Sequence, residues 1–256
     1  MRGVRDMRKK GTLKQILLIT DGCSNQGEDP VAMAALAHEQ GIAVNVIGVL
    51  NEDAPEYHRQ GLKEIEDIAM AGGGISQVVY TKQLAQTVKM VTQKAMAQTI
   101  KGVVNAELQQ ILGSKSTMDD LPPDKRGEVM EVVDEMGETM NLEVLVLIDA
   151  SGSMEDKMLT VQESLLDLSI SLNSRIGENE FSIFAFPGKK KEVEELLSWS
   201  SKLDSIGKIF SKLTLGGITP TGPAIKEGIA AFTRKRSSKR SFLSDDAPGY
   251  IEESGM

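Results

Sequence analysis

Only one of the 256 residues is cysteine, Cys23. No disulfide can close within the chain, and a thiolate-built zinc site is excluded. A reducing cytoplasm is the simplest setting for such a sequence. Histidine is almost as scarce. His38 falls in an Ala-rich stretch and His58 in a polar one, and nothing marks either as a general base. Aromatic residues make up 4% of the chain. No run reaches the roughly 18 uncharged apolar residues of a membrane helix. The basic opening MRGVRDMRKKGTLKQ has no apolar stretch and does not read as a secretory signal. Positive charge is in deficit, with 29 Lys and Arg against 37 Asp and Glu and a net charge of −8. That balance argues against a dedicated duplex nucleic-acid binder.

The remainder describes a globular chain with 40% hydrophobic residues, enough for one large or two small cores. Charge is distributed unevenly. Residues 116–141 carry eight acidic side chains against Lys125 and Arg126. Residues 1–14 and the run Arg234 to Arg240 are basic and read as solvated ends.

Apolar runs alternate with helical patterns. Ile16-Leu17-Leu18-Ile19-Thr20 is closed by Asp21-Gly22, as befits a strand buried on both faces. Pro30 opens an Ala-rich helix that Gly41 ends. Ile42 to Leu50 is a second strand. A helix around His58–Met70 stops at Gly72-Gly73-Gly74, and Gln77–Tyr80 forms a short third strand. From Lys82, Leu84, Val88, Val91 and Ala95 mark an amphipathic helix. Residues 101–141 read as an acidic linker with a short helix near Glu128–Met136. Leu142 to Ile148 restarts the strand pattern and ends in Asp149. A helix over Glu155–Ile176 is expected, its apolar residues including Leu159, Leu165, Leu166, Ile170 and Leu172. Glu180–Phe186 is a strand, Val193–Trp199 an antiparallel return, and Pro223–Phe232 the last helix. The tail 234–256 reads as disordered.

Neither 15–100 nor 142–233 closes a core alone, since each would leave an apolar sheet edge open. The economical solution is one composite domain, 15–233. It is a doubly wound, mostly parallel six-stranded α/β sheet with helices on both faces. Two chains exchanging halves across 101–141 would satisfy the same requirement as a swapped homodimer.

Three loops share one chemistry. Asp149-Ala150-Ser151-Gly152-Ser153 follows one strand, and Asp21-Gly22 follows another. Thr219-Pro220-Thr221 joins two helices. In a doubly wound sheet such loops gather at the carboxyl ends of the strands. If the strands ending at Asp149 and Asp21 are neighbours, two carboxylates and three hydroxyls converge. Hard oxygen donors of that kind suit Mg²⁺ or Mn²⁺, with a coordination position left for a ligand. The alternation of Asp149, Ser151 and Ser153 lets one extended turn point its oxygens to one side. Ser153 is also placed to cap the helix that follows.

These three loops resemble the metal-ion-dependent adhesion site (MIDAS) of von Willebrand factor type A (VWA) domains: Asp149-x-Ser151-x-Ser153, Gly-Gly-x-Thr219-x-Thr221-Gly and Ile19-Thr20-Asp21-Gly22. The order differs from the family's, because the Asp21 strand comes first and the Asp149 strand about 120 residues later. The sequence thus resembles a circular permutation. The resemblance implies that Ser151, Ser153 and Thr219 are metal ligands, with Asp149 and Asp21 binding directly or through water. Thr221 would hydrogen-bond within its loop. It further implies a bacterial, cytoplasmic binding or regulatory module whose cation captures a carboxylate of a partner protein. A Mg²⁺-dependent phosphotransferase or phosphatase with Asp149 as nucleophile is the competing class. Phosphatases of the haloacid-dehalogenase type place a second aspartate two residues on, where this chain has Ser151, and no phosphate-binding Walker loop is present.

Overall fold

Strand β1 (Thr12–Thr20) forms the middle of the sheet because its neighbours on both sides are equally apolar. It pairs in parallel with β2 (Ile42–Leu50) and with β4 (Asn141–Asp149). Nearly every side chain of these three strands is buried. With both faces covered, the runs are continuously apolar instead of alternating. β3 (Gly73–Tyr80) pairs beyond β2, and β5 (Asn179–Phe186) beyond β4, both in parallel. The antiparallel β6 (Glu194–Ser200) closes one edge, giving the order β3-β2-β1-β4-β5-β6. Glu194 and Glu195 place charge on that edge and discourage further pairing. This computed structural model describes residues 11–50, 59–112, 117–203, 205–211 and 213–245; His58 lies outside them.

Helices cover both faces. On one lie α3 (Leu84–Leu112), α4 (Pro123–Thr139), α5 (Met158–Asn173) and the short α6 (Ile206–Phe210). On the other lie α1 (Pro30–Glu39), α2 (Arg59–Ala71) and α7 (Thr221–Asp245). Asp29 caps α1 by accepting from the Val31 amide, and Gly41 ends that turn with φ +72°. The sheet is therefore the doubly wound α/β arrangement expected, assembled within one chain. No helix among the described residues is long and apolar enough to cross a membrane.

Several elements differ from expectation, each for a physical reason. β3 starts at Gly73, within the glycine run expected to end the preceding helix. Gly73 has φ +61°, and a Cβ on Gly74 would stand 2.1 Å from the Val44 carbonyl oxygen, so glycine is what permits this close pairing. Segment 101–141 is structured over most of its length. α3 continues to Leu112, and α4 starts at Pro123 with Val133 buried against the core. Arg175 holds the end of α4, donating to the carbonyls of Gly137 (2.8 Å from Nε) and Met140 (2.8 Å). The buried stripe of α5 is Val161, Leu165, Leu168 and Leu172, whereas Leu159 and Ile170 face solvent.

Of the tail 234–256 expected to be disordered, the basic run and the residues up to Asp245 belong to α7, and 246–256 lie outside the described residues. Phe232 packs on Trp199 with ring centroids 4.9 Å apart. The Lys235 side chain, 8% exposed, is ion-paired with Glu143 (2.9 Å) and Glu180 (2.7 Å), its ammonium 3.9 Å from the centre of the Trp199 ring.

Candidate metal centre

The register of β1 against β4 sets Ile19 beside Ile148, so the two chains leave the sheet together. Asp149, the last residue of β4, and Asp21, one residue past β1, emerge side by side. Asp149 is fully buried. Its Oδ2 accepts from the Thr20 hydroxyl at 2.6 Å and its Oδ1 from the Ser151 amide at 2.8 Å. Burial pushes its carboxyl above the usual range. The bonds from Thr20 and Ser151 oppose that rise, and the charge of Asp21 adds to it. A buried carboxylate of this kind calls for a cation nearby.

Asp21 is reached from the other side. The Ser153 hydroxyl donates to its Oδ1 at 2.8 Å, and the two serine hydroxyls lie 3.1 Å apart. Ser153 therefore spends its side chain on Asp21 and does not cap the helix. A six-residue 3₁₀ helix, Gly152–Lys157, leads from this loop into α5. Its last residue, Lys157, is buried, ion-paired with Asp21 through Oδ2, and donates to the Ser153 carbonyl at 2.7 Å. Asp149, Ser151, Ser153 and Asp21 thus form one connected polar chain spanning both halves of the sequence.

Thr219 is brought to the same crest through its backbone. Its amide donates to Asn25 Oδ1 at 2.8 Å, and its carbonyl accepts from the Asn25 amide at 3.2 Å and the Ser24 hydroxyl at 3.3 Å. Gly216 and Gly217, at φ +122° and +89°, make the bend that glycine accepts most readily. The Gly216 amide bonds the Ala150 carbonyl at 2.9 Å, which ties this loop to the one carrying the serines. Gly222 lets the loop after β1 approach, because a Cβ there would stand 1.8 Å from the Glu28 carbonyl oxygen. Thr221 bonds within its loop through its amide, which donates to the Thr219 carbonyl at 3.0 Å, while its hydroxyl is buried without a hydrogen-bond partner.

The donors fit a hard divalent cation. They are carboxylates and hydroxyls, two of them joined across adjacent strands, and an orphaned buried hydroxyl in the threonine loop has lone pairs to offer. Lys157, Ser24 and Asn25 were not identified from sequence. Lys157 follows Ser153 by four residues, a spacing that folds a long side chain back over its own turn. Cys23 is no nucleophile candidate, because burial and then the charge of Glu64 push its thiol up, away from thiolate.

Residues 1–94 match the family model of the von Willebrand factor type A domain. The chain belongs to the VWA family. The matched part of this VWA protein holds β1, α1, β2 and Asp21, whereas Asp149, Ser151, Ser153 and Thr219 lie beyond it. An uncharacterized protein of Bacillus subtilis (strain 168), YabS, is 61% identical over 246 residues, 96% of this chain and 99% of that one. The crystal structure of an uncharacterized protein from Alicyclobacillus acidocaldarius subsp. acidocaldarius DSM 446 is similar, with a TM-score of 0.81 and 39% identity. That match covers 89% of this VWA chain and 96% of the other. The likeness therefore extends across both halves and the helices between them.

Proposed function

We propose that this protein is a non-catalytic VWA binding module that captures a carboxylate of a partner protein through Mg²⁺ or Mn²⁺. The observation that carries the reading is the hydrogen-bonded chain Asp149, Ser151, Ser153, Asp21 at the carboxyl ends of two adjacent parallel strands. Ser151, Ser153 and Thr219 would supply neutral oxygens, with Asp149 and Asp21 binding directly or through water. Few charged ligands leave a cation electrophilic, and an anionic group from a partner then completes its shell. Membership of a family of interaction modules supports the same reading. The order of the elements, with the Asp21 strand ahead of the Asp149 strand, is read as a circular permutation of the family's arrangement. A cytoplasmic scaffold or regulator is the role this chemistry suits.

Calorimetric titration of the chelator-treated protein with Mg²⁺ and with Mn²⁺ tests the proposal. Wild type should give a saturable heat and Asp149→Ala none. The same flat response from both proteins overturns it.

A further inference from the structure

We propose that Lys157 is a built-in competitor of the divalent cation. Its ammonium holds Asp21 while the site is metal-free, and it lowers metal affinity. It also leaves the loaded site with a net positive charge that an anionic partner group must balance. The inference rests on the metal-binding reading above and adds what regulates it.

Lysine is almost never fully buried unless it is paired. Lys157 is 4% exposed and its partner Asp21 6%. Each Asp21 oxygen is engaged, one by the Ser153 hydroxyl and the other by this ammonium. A third polar contact, to the Ser153 carbonyl at 2.7 Å, fixes the lysine against the loop that carries both serines. The backbone gives it little freedom to sit elsewhere, since residue 157 ends the 3₁₀ turn and α5 begins at Met158. A positive charge therefore already stands at one of the two carboxylates that a divalent ion would use.

The charge arithmetic gives the consequence. Asp149 and Asp21 contribute two negative charges and Lys157 one positive, so the bonded set carries −1. A divalent cation brings it to +1. Without the lysine the loaded set would be neutral, its cation would bind more tightly, and it would have less need of a carboxylate from outside. At the short range of a shared carboxylate, and in a partly dehydrated site, removing one unit of like charge is worth at least about a factor of ten in affinity. A residue that merely braced the loop would have the opposite signature, because its removal would loosen the ligands and weaken metal binding.

The experiment is a Mn²⁺ titration of the full chain, with free Mn²⁺ read by electron paramagnetic resonance, on wild type, Lys157→Met, Lys157→Arg and Asp149→Ala. Lys157→Met should bind Mn²⁺ about tenfold or more tightly. Lys157→Arg, which keeps the charge, should stay within about twofold of wild type, and Asp149→Ala should not bind. Equal or weaker binding by Lys157→Met, with wild type binding, overturns the role of Lys157 and leaves the metal reading standing. No binding by wild type overturns the metal reading and this inference with it. A measurement on wild type alone serves if Lys157→Met does not fold. Acetylation of Lys157 by an amine-reactive ester, followed by mass spectrometry, should rise several-fold when Mg²⁺ is added, while exposed Lys125 stays constant. Labelling of Lys157 that ignores Mg²⁺ overturns the proposal.

Discussion

Two lysines are buried at opposite ends of the sheet, and their surroundings differ. Lys235, near the amino ends of β4 and β5, lies between Glu143 and Glu180 with the Trp199 ring against it. Its charge is balanced twice over. Lys157, at the carboxyl ends, shares Asp21 with the serine that joins the two halves of the candidate site. The first is an arrangement for holding a helix down. On the proposed reading, the second leaves its carboxylate in demand from a competing cation. Burial of a lysine is thus uninformative by itself, and what matters is whether its counter-charge has another use.

The largest expected effect separates the two directly. Lys235→Met should cost about 3 kcal/mol in urea unfolding, since it removes the cation that Glu143 and the partly exposed Glu180 share. Mg²⁺ should stabilise this variant only as much as it stabilises wild type, so the deficit between them persists. Lys157→Met should cost a comparable amount, about 3 kcal/mol, in chelator. Here Mg²⁺ should narrow the deficit by about 1.4 kcal/mol, because an about tenfold tighter site gains that much more than wild type once the ion is in excess. Equal Mg²⁺ responses from the two variants would dissolve the distinction.

Smaller changes refine it. Thr20→Val keeps the shape of the side chain and removes the hydroxyl that Asp149 accepts from, so about 1–2 kcal/mol should be lost in chelator. Smallest of all is the pH response of Glu64 on α2, whose Oε1 accepts from the Ser24 amide. Burial raises its carboxyl, the Ser24 amide opposes the rise and Asp29 adds to it. An acid whose native pKa is raised holds its proton more tightly when folded. Its contribution to stability is therefore greatest at low pH and declines as pH rises from about 4.3, the ordinary glutamate value, through the raised native one. Glu64→Gln should remove that slope, worth less than about 1 kcal/mol at a half-exposed position. Urea midpoints measured across this pH range on both proteins check it.

The strands of the sheet centre were legible because they are buried on both faces. Ile16–Ile19, Ile42–Val49 and Leu142–Ile148 need no tertiary information to be recognised. The candidate residues Asp21, Asp149, Ser151 and Ser153 were legible for a related reason, as they follow the ends of two of those same strands, whereas Thr219 comes from the loop before α7. What could not be read from local pattern depends on distant partners. The helical run past Phe232 follows from Lys235 meeting Glu143, a residue far away in the chain. The length of α4 follows from its packing on the core and from Arg175 at its end. Ile170 is one of the apolar residues of α5, but the helix phase set by Val161, Leu165 and Leu168 turns it outward. Lys157 was passed over because its partner stands 136 positions away in the chain.

The ladder between β1 and β4 has a kinetic consequence. It pairs residues 12–19 with residues 141–148, so the innermost seam of the sheet is also one of its most distant contacts along the chain. Closing so wide a loop must precede the reward for closing it, which slows folding relative to a chain of the same size with nearby pairings. During synthesis, Asp21 waits at a bare strand end until the stretch carrying Asp149 has left the ribosome. The proposed ion capture cannot guide the early steps, and would arrive only as a seal on a nearly finished molecule.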